Sequence, residues 1–599
     1  MAKYTSRNIV SGAQDEDVQE ALLSVSKDIE EHDRQEAVRK IIQDLLKSGC
    51  SISNPTGTKT ITSKLILQIL WKVVNKMKIP DFKIYKSGPF KLTTDKQLQK
   101  KANQVREWME QIVTAGTATV MKEGKFIQCM RDKGGAFYNM SLYGDSHVQV
   151  GYDEDNSDYP IAFRVSSLSN FYTNSQATDI RSAVDGNSAD ATFEVFTYTM
   201  KQFCVLWPEF EGKVAPGKIP LKDVSKQLEK TWLQTTYDEM DEVQVAYYTS
   251  IEGIQVVFAG PACTVLRKFK GKLKKDEVID EGSTKFPYNM DGKAYLPTLH
   301  FKFFPSPEGY SNWGIGHMIY DIAVLAARMD SMAYQHAGRN INPINFVNSA
   351  TKKASKLFND ILQAEAMRDE GGDAYVVSEN PQGTAGVTVE SLQSAPITQE
   401  WERAFTRLET QINRLGFQLD APDLGSSPNE MSIMSAQENA DAPIKQIIEY
   451  NASEFEMAVL ITMDFIRKFI PDEDQTPLNS MTDIEIGDQK LALRGVPLGW
   501  VAKELRMNKY FVIVNSRDGT IPSNVMELAR ARETMSTLPQ GTPAWNKMAM
   551  EVAKLNGHNI TMEDMGMPQQ APQGGAEGPQ APTPSETSPV TAQALKYGK

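Results

Sequence analysis

The spacing of apolar and polar residues predicts helices over the first part of the chain. The first predicted helix covers residues 15–46, with acidic residues at its start and a lysine at its end, as the helix dipole favours. A second covers about 61–77, and a third runs from a capping-box sequence at Thr94 to just before Gly116. We therefore predict a helical N-terminal region over residues 1–115.

A different pattern follows and predicts a sheet-rich region over residues 116–308. Short runs of β-branched and aromatic residues recur there between Gly, Asp and Asn turns. The predicted strands are 117–121, 126–130, 148–151, 161–165, 243–248 and 255–259. A predicted helix over about 190–205 interrupts them. No internal repeat of about 20–50 residues is present, which argues against a solenoid.

Three long helices are predicted next. The first, 314–336, is apolar over most of its circumference and expects neighbours on most sides; its apolar positions include Ile319, Ile322 and Met329. The second, 398–419, has an apolar packing seam formed by Trp401, Phe405, Leu408 and Ile412. The third, 430–470, contains Pro443. A proline removes one backbone hydrogen bond, at a cost of about 3 kcal/mol, so we predict a kink near Asp441.

The C-terminal part is predicted to be mostly helical and then flexible. A strand is predicted over 510–514, with helices over 522–535 and 544–555, inside a region that covers 471–560. Residues 561–599 are rich in Pro, Gln, Gly and Ser and cannot bury a core, so we predict a flexible tail. The fold class predicted for the whole chain is α+β.

Composition narrows the classes of function. A chain of 599 residues implies several packed units. The net charge of −12 is unlike that of a general nucleic-acid binder, so either DNA is not a partner or the protein handles DNA without gripping it. The four cysteines are far apart and form no CxxC pair, which predicts reduced thiols. We recognise no signal peptide and no membrane-spanning segment, and we predict no membrane partner.

The common enzyme signatures are absent from the sequence. It contains no GxxxxGK[ST] loop, no HExxH and no GxSxG elbow, and its six histidines do not have metal-ligand spacing. Acidic clusters at 153–155, 238–242 and 472–474 suit a divalent cation or an acid–base pair, although solvated acidic loops are far more common. We therefore predict no enzyme, no cofactor and no metal site. A magnesium-dependent DNA enzyme that uses Asp472 and Asp474 is kept as an alternative.

Residues 117–470 carry a resemblance to a known family, and its most informative segments begin at Tyr295. The segment Tyr295-Leu-Pro-Thr-Leu-His-Phe-Lys-Phe-Phe-Pro-Ser-Pro-Glu-Gly-Tyr-Ser-Asn-Trp-Gly314 runs into the first long helix, which carries Asp321. It resembles the strand-to-helix passage of portal proteins, the head-to-tail connectors of short-tailed phages. Arg339-Asn-Ile-Asn-Pro-Ile-Asn-Phe-Val347 resembles the exit into the clip, and the runs that begin at Gly371 and Gly386 resemble the later clip strands.

The resemblance implies a portal-like division of the chain. The parts are a wing (116–308), stem helix 1 (309–339), a clip (340–396), stem helix 2 (397–419), a tunnel loop (420–430), a long kinked helix (431–470) and a wing or crown region (471–560). The tunnel loop would narrow the channel with Asp420, Asp423, Gly425, Ser426, Ser427, Asn429 and Glu430. Lys352, Lys353 and Lys356 of the clip would contact terminase or DNA, and the apolar stem residues named above would pack the ring. An ordinary helix connection and a solvated lysine face are the alternatives for these two segments.

The function implied by the resemblance is mechanical. Portal proteins form a homo-oligomeric, typically dodecameric, ring at one capsid vertex, and double-stranded DNA passes through its channel during packaging and ejection. The implied partners are the large terminase, the major capsid protein, the scaffold and tail adaptor proteins. The implied location is the virion, after assembly in the host cytoplasm. An acidic balance suits a channel that must not bind phosphate tightly. Another virion protein, such as a tail adaptor or ejection protein, is the first alternative.

Overall fold

The computed structural model describes most of the first 515 residues and few beyond them. The described residues are 4–7, 9–12, 14–26, 29–48, 65–87, 96–152, 159, 161–173, 177, 179–181, 188–222, 234–271, 285–290, 292–304, 310–326, 329, 344–349, 375–379, 389–392, 403–404, 406–408, 410, 441–477, 483–486, 489–492, 496–515, 534–535, 545, 548–549 and 552. The chain divides into two compact units, Met1–Ile521 and Pro522–Lys599. In the second unit, all six described residues are helical.

Eleven helices with continuous described residues lie in the first unit. They are α1 (Glu16–Ser26), α2 (Ile29–Ser48), α3 (Leu65–Lys76), α4 (Lys96–Glu123), α5 (Phe126–Arg131), α6 (Ala136–Tyr143), α7 (Met200–Leu206), α8 (315–326), α9 (441–450), α10 (Ala452–Phe469) and α11 (Leu498–Met507). The described residues of 403–410 are also helical.

Nineteen strands are described. They are β1 (Tyr4–Arg7), β2 (Asp81–Lys86), β3 (Asp145–Tyr152), β4 (Ile161–Val165), β5 (Phe171–Thr173), β6 (Ala191–Thr199), β7 (Gln234–Tyr237), β8 (Glu242–Ser250), β9 (Ile254–Ala259), β10 (Thr264–Lys270), β11 (Asn289–Met290), β12 (Lys293–Ala294), β13 (Thr298–Lys302), β14 (Ile344–Ser349), β15 (Tyr375–Glu379), β16 (Val389–Leu392), β17 (Asp483–Ile486), β18 (Gln489–Ala492) and β19 (Tyr510–Asn515). Together with the helices they confirm the α+β prediction.

Among the described strands, three sheets have more than two strands. An antiparallel sheet has the order β10-β9-β8-β6-β5, and a smaller antiparallel sheet has the order β13-β3-β4. The third has the order β15-β14-β16; β14 pairs with β15 in parallel and with β16 antiparallel. Four further pairs, β1-β7, β11-β12, β17-β18 and β19-β2, are antiparallel.

Two hydrophobic cores organise the larger unit. The main core joins α3, α4, α6, α8, α10 and α11 to the β13-β3-β4 sheet, and its large buried side chains include Phe137, Phe301 and Leu70. The second core lies between α1 and one face of the five-stranded sheet, around Leu22, Phe193 and Phe258. A third cluster packs α7 against the same sheet. Helix α8 is therefore part of the main core at its first turns.

Two predicted strands are wrong. Residues 117–121 belong to α4 and 126–130 to α5, because burial of one helical face overrides the β-branched composition. The Thr117 and Thr119 hydroxyls fit this helix by donating to the carbonyls of Val113 and Ala115, one turn back, at 2.8 Å each. Consequently α4 continues well past the predicted stop at Gly116, which is buried within it.

The predicted helix over 190–205 is also wrong in its first half. Residues Ala191–Thr199 form β6, the strand between β5 and β8, and its first five residues are buried. A helix begins only at α7, where Thr199 and Gln202 form a reciprocal capping box. The predicted helix over 15–46 is divided into α1 and α2. The strands predicted at 148–151, 161–165, 243–248, 255–259 and 510–514 are confirmed.

Candidate functional site

The chain leaves the main core through β13 and α8, which we call the outgoing limb (298–326). A backbone bridge between Phe304 and Trp313, with N···O distances of 3.2 and 2.9 Å, closes the loop between the two elements. A β-carbon on Gly314 would lie 2.4 Å from the backbone nitrogen of Gly144. A β-carbon on Gly144, whose φ is +93°, would lie 2.0 Å from the carbonyl oxygen of Asn312. The glycines thus allow α8 to begin directly against the end of α6.

The chain returns to the same place through α9 and α10, which we call the returning limb (441–469). Phe455 of α10 packs on Phe301 of β13, with ring centroids 5.1 Å apart. Between the two helices, buried Asn451 bonds the backbone of Lys302 in both directions: its Oδ1 accepts from the amide at 2.8 Å and its Nδ2 donates to the carbonyl at 2.7 Å. The residues between the limbs, 327–440, are here called the excursion.

Replacing Asn451 by alanine should destabilise this contact by about 1–3 kcal/mol, because it leaves buried backbone groups of Lys302 without partners. The measurement is the midpoint of thermal unfolding followed by circular dichroism. Asn139→Ala is the matched control, because that amide donates only one exposed bond, at 3.0 Å to the Gly134 carbonyl. Equal shifts for both variants would contradict the role given to Asn451.

A buried polar cluster lies where the limbs meet, and we call it the polar joint. Its members are Asp145, His147, Asp179, Arg181, His300, Lys302, Tyr310, Asn312, Asn451 and Glu454. The joint begins on the paired strands β3 and β13, where His147 lies opposite His300 and Asp145 opposite Lys302. Because alternate residues of a strand share one face, these four side chains share one side of the sheet.

His300 is at the centre of the polar joint and its side chain is completely buried. Its Nδ1 lies 2.9 Å from Asp179 Oδ1, and its Nε2 lies 2.9 Å from Asp145 Oδ1. The second oxygen of Asp145 accepts from the backbone nitrogen of Asn312 at 3.0 Å, and the Asn312 side chain donates to the first oxygen at 2.5 Å. Asp179 is also paired with Lys302. Asp145 thereby connects His300 to the Asn312 turn of the same limb.

Glu454 connects the returning limb to the same residue. Its Oε2 accepts from the backbone nitrogen of His300 at 3.0 Å and from Arg181 Nη2 at 2.7 Å. Arg181 also donates to the carbonyls of Leu296 and Thr298, at 3.2 and 2.6 Å. One half-buried arginine therefore joins α10 to the strand that leads into α8.

Aromatic rings close the other side of His300. The ring of Tyr310 stacks on it with centroids 4.6 Å apart, and that of His147 with centroids 4.7 Å apart. The Tyr310 hydroxyl lies 2.7 Å from His147 Nε2. Burial, together with the positive charges of His300, Arg39 and Lys302, holds the pKa of His147 well below its usual value. Burial and the Asp145 carboxylate hold the pKa of Tyr310 well above its usual value.

A second polar cluster ties the far end of α10 to the sheet region. Lys468 Nζ donates to the carbonyls of Pro287 and Asn289 at 2.7 and 2.6 Å, and to Asp464 Oδ2 at 2.5 Å. The Tyr295 hydroxyl donates to the same Asp464 oxygen at 2.8 Å. Burial lowers the pKa of Lys468, whereas it raises that of Tyr295 well above the usual value. Polar contacts therefore fix α10 near both of its ends.

Several predicted ring-packing residues are described. Ile319 is completely buried in the main core of its own chain, and Ile322 packs against that core. Met329 and Leu408 are also buried. Trp401, Phe405 and Ile412 lie outside the described residues. For Ile319 the single chain already provides full burial, and ring packing by this set stays a prediction.

The remaining predicted positions are mostly outside the described residues. This holds for the tunnel-loop residues Asp420, Asp423, Gly425, Ser426, Ser427, Asn429 and Glu430, and for Lys352, Lys353 and Lys356. Pro443 lies half-buried in α9, and the residues that precede 441 are not described, so the kink near Asp441 stays a prediction. The helix break that is described lies further along, at Asn451.

The described acidic clusters have structural contacts. Asp241 accepts the Asp238 amide at 2.8 Å within the turn before β8, and Asp474 accepts the Thr476 amide at 2.8 Å. Asp472 pairs with Arg506. Among the described residues, no group of three or more His, Cys, Asp or Glu side chains is placed to hold a metal ion. No described helix has the length and apolar character needed to cross a bilayer.

The joint's residues were not singled out by the sequence, because they come from five separate segments. The available signal was the alternation Asp145-x-His147 and His300-x-Lys302, which places polar residues on one face of each strand.

Comparison with known proteins does not identify a family: no protein-family model matches the chain, and no curated protein matches it either.

Proposed function

We propose that this protein is a portal subunit, which forms a ring-shaped channel for double-stranded DNA at one vertex of a phage capsid. The observation that carries the proposal is the meeting of the two limbs at the polar joint. The chain leaves the core at β13 and α8 and returns to β13 at Asn451 and Glu454. The chain from Lys302 to Asn451 therefore leaves and re-enters the rest of the first unit, here called the body, at one place, as a stem and clip that project from a wing require.

The order of elements supports the same proposal. A strand leads through a glycine-lined turn into α8, and a small mixed sheet, β15-β14-β16, follows. Helical residues at 403–410 and the broken helix α9–α10 come next. This is the series expected from the resemblance: strand, stem helix 1, clip, stem helix 2 and long helix. In this proposal Lys352, Lys353 and Lys356 belong to the clip, and residues 420–430 line the channel.

The net charge of the chain suits a channel through which DNA slides better than it suits a tight DNA-binding site. A net charge of −12 disfavours tight binding of phosphates, which would stop DNA from sliding. Packing of equivalent subunits around a closed ring would also bury apolar helix surface that one chain leaves exposed, such as Leu325 of α8, which is 47% exposed. Hydrolysis of ATP would then belong to the terminase partner.

The test is electron microscopy of the purified full-length protein with two-dimensional averaging, together with mass photometry. We expect annular particles of about twelve-fold symmetry, each with a central hole of roughly 20 Å or more, the width that a duplex needs. The mass should be a multiple, close to twelve, of the 66.8 kDa subunit mass. Because rings can require assembly conditions, the sample is also concentrated and incubated at several salt concentrations.

Two further assays separate the proposal from its alternatives. Binding of the rings to the large terminase of the same phage supports a portal, whereas rings that bind only tail proteins indicate a tail adaptor. Metal-dependent cleavage of DNA that Asp472→Ala and Asp474→Ala abolish would indicate an enzyme. A compact monomer that stays monomeric under all conditions and cuts DNA would overturn the proposal.

A further inference from the structure

The hydrogen bonds of His300 determine its protonation state. Both ring nitrogens lie 2.9 Å from a carboxylate oxygen, one of Asp179 and one of Asp145. Neutral imidazole carries only one N–H, so a neutral ring would leave one nitrogen lone pair facing a carboxylate lone pair. Two good bonds require the imidazolium, with Nδ1–H donating to Asp179 and Nε2–H donating to Asp145. These charge-assisted bonds are stronger than bonds between neutral groups.

The charges around the ring balance only when His300 is protonated. The cations at the joint are then His300, Lys302 and Arg181, and the anions are Asp145, Asp179 and Glu454. Arg39, which also lies close, is paired with Glu36 and adds no net charge. The groups that face the ring or lie close to it are Asp145 and His147 of β3, Asp179 and Arg181 of the 179–181 segment, Lys302 of β13, Tyr310 of the following loop, Glu454 of α10, Arg39 of α2 and His317 of α8. A buried cluster with one unbalanced carboxylate is strongly destabilised.

We propose that the His300 imidazolium is a proton latch that fixes the outgoing limb to Asp145 and Asp179 at the place where the returning limb also binds, and that loss of its proton loosens the joint. The proton connects Asp145, which holds the Asn312 turn before α8, to Asp179, which holds Lys302. The backbone of His300 at the same time holds Glu454 of α10. The inference concerns how the body holds the excursion and does not depend on whether the excursion is a stem and clip.

The direction of the pH response follows from linkage. Burial opposes the charged form of His300, but the hydrogen bonds to Asp145 and Asp179 outweigh it, so its pKa is raised above 6.5. The stabilisation is therefore complete below the unfolded value near 6.5 and is lost as pH rises from there through the folded pKa. The lowered pKa of His147 affects stability below about pH 6.5. In that range the unfolded chain takes up a proton at His147 that the folded protein does not, which lowers the free energy of unfolding.

Hydrogen exchange with mass spectrometry of the full-length protein between about pH 6 and 8 tests the latch. The range stays below ionisation of the buried thiols, since burial raises the pKa of Cys129 and Cys263 to about 12 in the folded protein and their unfolded values are near 9. After correction for intrinsic exchange, opening of the peptides that contain 298–302 and 452–469 should increase by up to about tenfold per pH unit above 6.5. The peptide over β9 should show no such increase.

Variants distinguish the latch from a general loss of stability. His300→Gln should remove the pH response of the joint peptides while making them more open at every pH. His300→Gln with Asp179→Asn removes one cation and one anion together, so it should fold and show a flat response. His32→Gln, at a half-buried histidine of α2 that is not among the groups around the ring, is the control and should keep the wild-type response. A flat wild-type response, or a response that persists in the double variant, would overturn the proposal.

Discussion

Replacement of Lys468 by methionine should weaken the attachment of α10 by about 3 kcal/mol. The side chain of Lys468 is only 4% exposed. Its ammonium group donates to the carbonyls of Pro287 and Asn289 and to Asp464. Methionine fills a similar volume but removes the ammonium donor from both carbonyls, and Asp464, itself 2% exposed, keeps only Arg467 and Tyr295. Removal of one partner from a buried pair costs more than the pair contributes, because the other charge stays buried.

The effect is measured as local opening of the peptide over Ala452–Phe469 by hydrogen exchange and as the midpoint of urea unfolding. A loss of about 3 kcal/mol corresponds to roughly a hundredfold faster exchange through local opening. Lys503→Met is the matched control, because Lys503 is an exposed lysine on the adjacent α11 and should change stability by less than about 0.5 kcal/mol. A loss below about 1 kcal/mol for Lys468→Met would mean that apolar packing replaces the ion pair at little cost.

Much of the fold follows from local patterns, and the errors share one cause. The strands at 243–248 and 255–259 were predictable because β-branched and aromatic residues recur between turn residues. The same rule failed at 117–121, where Val120 and Met121 are buried on one face of α4 and tertiary packing decided the conformation. It failed in the opposite direction at Phe193 and Val195, which belong to β6, a strand between two others whose first five residues are all buried.

The polar joint was not predictable as a site, although its parts were visible. Asp145 and His300 are far apart in sequence, and only the register of β3 with β13 brings their strands together. Asp179 and Glu454 come from a short irregular segment and from the first turn of a helix, where a carboxylate is expected for reasons of the helix dipole alone. A single sequence gives no measure of which distant polar residues pair. Buried charge networks therefore become apparent only once the strands and helices are placed.

Replacement of the excursion by a flexible linker should leave the body folded and remove the proposed function. The described residues of the main core all lie outside 327–440. The limbs are held to each other by Asn451 and Glu454, so the linker needs only to join 326 to 441. Gly/Ser linkers of about 15 and 30 residues reach roughly 20 and 30 Å on average. A shorter loop costs less entropy to close, so the linker of about 15 residues lowers this cost by about 2 kcal/mol relative to residues 327–440.

We expect thermal unfolding of the body to be nearly unchanged, rings to be lost or incomplete, and binding to terminase to be absent. The matched control replaces 272–284, a segment between β10 and β11, by a similar linker and should keep both rings and terminase binding. The two claims fail separately. An unfolded body would show that the joint alone does not hold the limbs together, whereas a folded body that still forms rings and binds terminase would show that the excursion is not the stem and clip.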